Sequence, residues 1–243
     1  MKKLTSLVAM LMMVSTSAFA QSANPVPSNP SPSIPDTWQG VTASYNGGYL
    51  SCDIAGAKGI GLNGFSIGYM KEFYIIKSRP LFVETGLSVM YASSEEKWGE
   101  LGSSIDSALD DWFTDGFGNK EIKTEYTYIG ITLPVNLAYK FKLKDDFQLV
   151  PFAGVYMRGG VISNARCKNA GESKTYDLFN SRHAKRMGLR GAWERFQFGW
   201  QIGAKLACGP FTLGISYGAD MNEIAKKTKM RNLSFSAGYN FFY

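Results

Sequence analysis

The chain has 243 residues, 26 basic and 20 acidic side chains, a formal charge of +6, one histidine and three cysteines. No segment holds the ~18 consecutive apolar residues of a transmembrane helix, which excludes a helical membrane protein but not a barrel, whose strands are only half apolar. Cys52, Cys167 and Cys208 lack the spacing and the neighbouring ligands of a zinc site. A modest basic balance on an exported chain points to anionic lipid headgroups or other polyanions, not to nucleic acid.

Residues 1–20 read as a cleaved signal peptide: Lys2 and Lys3, an apolar run Leu4 to Val14, then Ala18-Phe19-Ala20 before Gln21. Its removal lowers the formal charge to +4, since it carries two lysines and no acid. Residues 21–36 form a Pro/Ser linker, extended, solvated and expected in the periplasm. The barrel domain is expected over residues 37–243.

Strand one is weakly marked by Val41, Ala43 and Tyr45 against Thr42, Ser44 and Asn46. Strand two spans about Leu62 to Ile75, and Lys77-Ser78-Arg79-Pro80 turns into strand three, Leu81 to Tyr91. An insert over 93–124 carries Ile105, Leu109, Trp112 and Phe113 at helical spacing, which predicts a short amphipathic helix. Strand four alternates from Thr127 to Phe141. Its Pro134 lacks the ladder donor and belongs at a bulge or an unpaired register. Strand five, Phe147 to Val161, is ambiguous: Gln148 and Arg158 favour even positions inward, whereas Phe152 and Tyr156 oppose it. A second insert covers 163–194. Strands six, Phe196 to Leu206, and seven, Phe211 to Gly218, flank the turn Cys208-Gly209-Pro210. After a loop over 219–230 comes the last strand, in which Leu233, Phe235, Ala237, Tyr239, Phe241 and Tyr243 share one face. Tyr239, Phe241 and Tyr243 resemble the C-terminal assembly signal of outer-membrane barrels, which implies the barrel-assembly machinery as a partner during biogenesis.

Eight strands, with short turns alternating with long connections, predict an all-β fold. It is an eight-stranded antiparallel up-and-down transmembrane β-barrel with short periplasmic turns and long external loops. Both termini then lie on the periplasmic side of a bacterial outer membrane. Size decides which face is inside. Gly, Ser, Thr, Asn and Gln fit a narrow eight-stranded lumen, while Phe, Tyr, Trp, Leu and Ile fit lipid. Glu84, Lys140, Arg158 and Lys205 fall on the inner face. On the lipid face a mid-depth Lys or Arg would cost roughly 2–4 kcal/mol. Trp38, Tyr45, Trp98 and Trp193 are expected in an interfacial girdle.

Gln197-Phe198-Gly199-Trp200-Gln201-Ile202-Gly203-Ala204-Lys205-Leu206, Gly209-Pro210-Phe211-Thr212-Leu213-Gly214, Ile131-Thr132-Leu133-Pro134-Val135-Asn136-Leu137 and the terminal Ala237-Gly238-Tyr239-Asn240-Phe241 resemble strands of PorT-like outer-membrane barrel domains. The resemblance covers about Val41 to Tyr243. It implies fold and membrane location; the family's name-giving member is implied in assembling a secretion apparatus.

No cofactor is expected, and no metal site: Asp110 to Gly116 lacks the ligand pattern of a calcium loop. Residues 93–124 carry eight acids against three lysines, net −5, and 163–195 eight bases against three acids, net +5. Three readings stand: solvated loops, loops folded against each other over the mouth, or basic loops that grip lipopolysaccharide phosphates through Arg182, Lys185, Arg186 and Arg190. The cysteines are either incidental thiols or a Cys52–Cys167 pair with Cys208 alone. For function, a structural or interaction barrel, with an envelope protein as a possible partner, leads. The alternatives are a lipid-modifying enzyme of the lipid A deacylase kind, using Ser181 and His183, and a narrow pore.

Overall fold

The computed structural model describes residues 37–52, 60–76, 79–97, 123–144, 147–169, 172–186 and 191–242. The expected signal peptide, the Pro/Ser linker, the helix expected near 105–113, Trp98, Arg190 and Tyr243 lie outside them.

Along the described chain run β1 (Gln39–Cys52), β2 (Ile60–Tyr74), β3 (Leu81–Lys97), β4 (Lys123–Tyr139), β5 (Phe141–Lys144), β6 (Phe147–Asn169), β7 (Glu172–Asp177), α1 (Ser181–Arg186), β8 (Phe196–Cys208), β9 (Phe211–Asp220) and β10 (Thr228–Phe242). Eight of the strands are staves of a closed antiparallel barrel in the order β4-β3-β2-β1-β10-β9-β8-β6, with β4 pairing β6 to close it. β5 continues the line of β4 beyond Lys140, and β7 folds back on the upper part of β6. Connections at one end are short, between β2 and β3, β5 and β6, and β8 and β9; the other end carries the long ones. A closed sheet satisfies every ladder group internally and has no edge, the condition for strands to cross a bilayer.

Exposure confirms the assignment of faces. Phe65, Ile67, Leu213 and Phe211 are each more than 60% exposed, and every stave carries exposed large apolar side chains on its outward face. That surface would be untenable in water. The molecule is a transmembrane barrel of the outer-membrane type.

Three features differ from the sequence reading. First, β6 is 23 residues long, so the insert expected over 163–194 is not a loop throughout. It begins as strand, turns back as β7 and passes through α1. A register shift between Ile129 and Gly130 inserts one residue in β6, after which Ser163 and Ala165, not the even positions, face inward. Second, Trp38 and Trp193 are not girdle residues; both are buried inside the barrel. Third, Cys167 is a free thiol beside Thr124, which decides between the two readings of the cysteines in favour of unpaired thiols.

The ambiguous strand resolves by shape. Phe152 and Tyr156 do point inward, opposite Gly203 and Gly199 on β8. A Cβ on Gly199 would sit 2.3 Å from the Tyr156 ring, so glycine at this position makes room for the phenol. Pro134 needs no bulge. The β3–β4 ladder keeps its register but has no pairs where Gly86 and Leu87 face Leu133 and Pro134, and Thr85 Oγ1 donates to the Pro134 carbonyl at 2.8 Å.

Gly199→Val is therefore expected to destabilise the barrel by about 1–3 kcal/mol through overpacking. Loss of the folded band on unheated denaturing gels, at a lower temperature than for the wild type, measures it. Equal stability would mean that Tyr156 does not occupy the lumen.

Candidate functional site

All four side chains expected inside are inside, and each is engaged. Lys205 forms an ion pair with Glu84, whose other oxygen accepts a hydrogen bond from Asn136 Nδ2 at 3.0 Å; Gln201 Nε2 donates to Asn136 Oδ1 at 2.6 Å. Arg158 holds Asp220 through Nη2 at 2.6 and 2.8 Å, and the Tyr156 hydroxyl donates to the same carboxylate at 2.6 Å. Lys140 pairs with Glu72 at 2.6 Å. Side chains from β2, β3, β4, β6, β8 and β9 thus meet in three buried ion pairs and their hydrogen-bond partners, which satisfies the rule that a buried charge needs a partner.

Sequence reasoning missed Glu72 and Asp220, the counter-ions. Both obey the even-inward parity of their strands. Glu72 lies inside the expected second strand, beyond the stretch where its alternation is clearest, and Asp220 lies two residues past the expected end of its strand. Carrying the alternation two residues further finds the second, and the excess of inward cations is the signal that it should be carried.

Between these ion pairs lies a cavity of about 140 Å³ lined largely by hydroxyl and amide groups, among them Thr42, Ser44, Asn46, Ser66, Ser216 and Ser236. Ser234 Oγ donates to Asn46 Oδ1 at 2.6 Å, and Asn46 Nδ2 to Ser66 Oγ at 3.0 Å. A space of this size has room for about four waters.

Both ends of this polar middle are stoppered. At the short-turn end the chain ahead of β1 turns into the lumen. Trp38 packs with Ala138, Val150, Phe152 and Ala207, and its backbone N–H and C=O bond the Glu72 carboxylate and N–H, each at 2.9 Å. Lys140 Nζ lies 3.6 Å from the centre of the indole ring and 4.5 Å from that of Phe82. At the long-loop end Leu178, Trp193 and Ile224 come in from the connections and pack on Tyr126, Tyr128 and Met230. Trp193 N donates to Leu178 O at 2.9 Å and Glu194 N to Ile224 O at 2.6 Å, so the connections bond one another across the mouth.

Outside the mouth, β3, β4, β6 and β7 continue as a polar lobe. Lys123 faces Glu95 at 3.7 Å and Lys168 pairs with Glu125, a matched ladder. Arg182, Lys185 and Arg186 are exposed on α1. The fourth residue of that basic set, Arg190, is not described. His183 is tied to this local structure: its Nδ1 accepts the Asp177 N–H at 3.1 Å, and its ring meets Tyr176 edge-on. Ser181 shares the short helix, two residues away. Tyr239 and Phe241 of the expected assembly signal face outward. Among the described residues no group of three or more His, Cys, Asp or Glu side chains is placed to hold a metal.

No protein-family model matches the chain, and no curated protein matches it significantly. Solved structures do resemble it in fold. Ail, the attachment invasion locus protein of Yersinia pestis, is 14% identical, with 84% of this chain and 97% of that one covered at a TM-score of 0.42. Neisserial surface protein A is 12% identical over 85% and 100%, with a TM-score of 0.41. The outer-membrane enzyme PagL is 10% identical over 82% and 98%, with a TM-score of 0.42.

Asp220→Asn leaves the Arg158 charge buried without its counter-ion and is expected to cost about 3–5 kcal/mol. Arg158→Met together with Asp220→Leu removes both charges and is expected to recover most of that loss. Unfolding in urea from lipid vesicles compares the two; a double variant no better than the single would contradict the pairing.

Proposed function

We propose that the chain is an integral protein of the bacterial outer membrane, with its N-terminus and short turns in the periplasm, acting as a closed anchor for an external interaction surface. The observation that carries this reading is the lumen. It is occupied by ion pairs and stoppered at both ends by Trp38 and by Trp193 with its neighbours. Nothing in such an interior serves as a conduit, so the parts left to act are those beyond the staves: the β6–β7 hairpin and α1.

The resemblance to PorT-like barrels favours membership in an envelope or secretion assembly, with an envelope protein as partner and the barrel-assembly machinery during biogenesis. Exposed Arg182, Lys185 and Arg186, with Arg190 beyond them in sequence, favour contact with surface polyanions such as lipopolysaccharide phosphates. The hydrolase reading is not adopted, since it rests on Ser181 and a histidine already engaged by backbone.

Two measurements test the proposal. Purified protein in planar bilayers is expected to show no discrete conductance; steady single-channel steps would instead support the pore reading. A photo-crosslinking residue at Lys174 or Lys185 is expected to capture a distinct envelope protein that the same probe at lipid-facing Leu213 does not. Identical captures at all three positions would remove the interaction role.

A further inference from the structure

Two outward cations of the β3–β4–β6 wall are matched by acids, Lys123 by Glu95 and Lys168 by Glu125, and Arg166 beside them bonds Ser173. The wall where the first and last strands meet is different. Lys229 and Arg231 lie on the outward face of β10, and neither has an acidic partner among the described residues. β1 and β10 contain no acid at all, and the single acid of β9, Asp220, points inward to Arg158.

Position along the strand gives these two cations a role. Below Arg231 on the same face come Leu233, Phe235, Tyr239 and Phe241, all exposed and apolar. Arg231 is ten residues from Phe241, which at ~3.4 Å per residue and a tilt near 40° is ~26 Å, the height of a barrel's apolar band. Phe241 therefore marks one boundary of the hydrocarbon and Arg231 the other, with Lys229 just outside it. Tyr49 flanks Arg231 on β1, Ala219 flanks it on β9, and Gly47 flanks Leu233, so the surface around the guanidinium is low on one side and aromatic on the other.

We propose that Lys229 and Arg231 form a headgroup site for a phosphorylated glycolipid of the lipopolysaccharide type. Its acyl chains lie along Leu233 and Phe235, and its phosphate is held by the Arg231 fork and the Lys229 ammonium. The inference rests on the outer-membrane reading, because only that orientation puts the long-loop end in the leaflet where this lipid resides. The unmatched cations favour an anionic occupant; the band beneath them favours one with acyl chains; and two cations stacked on one strand suit a headgroup with more than one negative charge.

The test is native mass spectrometry of the purified full chain titrated with bisphosphorylated lipid A, its dephosphorylated form and phosphatidylglycerol. Wild-type protein is expected to retain bisphosphorylated lipid A best. Lys229→Ser with Arg231→Ser is expected to weaken retention by about thirtyfold, on the scale of two cations near an anionic surface. Lys168→Ser, whose cation is matched by Glu125, is expected to change it less than about twofold. Equal retention by the double variant, an equal loss in Lys168→Ser, or a preference for phosphatidylglycerol would each overturn the site. The dephosphorylated lipid applies the same test to wild-type protein, independently of whether the double variant folds: retention equal to that of the phosphorylated form also overturns it. A cysteine placed at Lys226 in a background free of other cysteines, labelled on intact cells by an impermeant maleimide, separates the two claims. No labelling would sink the orientation, whereas labelling with no lipid preference would sink the site alone.

Discussion

Closing eight antiparallel strands on themselves leaves an interior only wide enough for side chains, and that width governs which residues stand on the inner face. Where a large group enters, a neighbour must shrink: Tyr156 faces Gly199, and Phe152 faces Gly203. Where a charge enters, its counter-ion must enter too, because no solvent column is present to screen it. The outer face has the opposite requirement, and the same two-residue alternation satisfies both. One strand such as β10 therefore carries Ser234 and Asn232 to the lumen and Leu233 and Phe235 to lipid.

The buried pairs give the barrel internal cross-links that the wall alone lacks. Glu84 on β3 meets Lys205 on β8, with Asn136 on β4 and Gln201 on β8 extending the network, so residues far apart in sequence join across the lumen. Arg158 on β6 meets Asp220 on β9. Such pairs are weak evidence for net stability, since desolvation offsets most of the attraction, but a mispaired barrel would leave each of them orphaned. They are better seen as devices that specify one register. The two apolar stoppers complete this interior and close it off at both ends.

Much of this was legible in the sequence because period two is a strong signal when one face is bulky and the other small. The stave assignments, the direction of the faces and the inward Glu84, Lys140, Arg158 and Lys205 follow from it. The alternation fails where the chain leaves regular strand. The bulge in β6 inverts parity, so Ser163 and Ala165 were not assigned to the interior. Trp38 precedes its strand and belongs to no alternation; its burial depends on Glu72 and Lys140, contributed by other strands. Trp193 is similar, held by a backbone bond to Leu178. Tryptophan near a strand end signals an interface by composition, and here that signal pointed to the wrong side of the wall. The exposed basic set on α1 was visible as charge, but not as a helix, because six residues carry too little periodicity.

The central claim is that one face of each stave meets lipid and the other a closed polar interior. Spin labels placed singly along 232–239 of β10, in a cysteine-free background reconstituted into vesicles, test it through their collision rates with oxygen and with a polar nickel chelate. The account predicts high oxygen accessibility at Leu233, Phe235, Ala237 and Tyr239, and little access for either reagent at Ser234, Ser236 and Gly238. Loss of the two-residue alternation, or ready access of the nickel chelate to the inward positions, would contradict it.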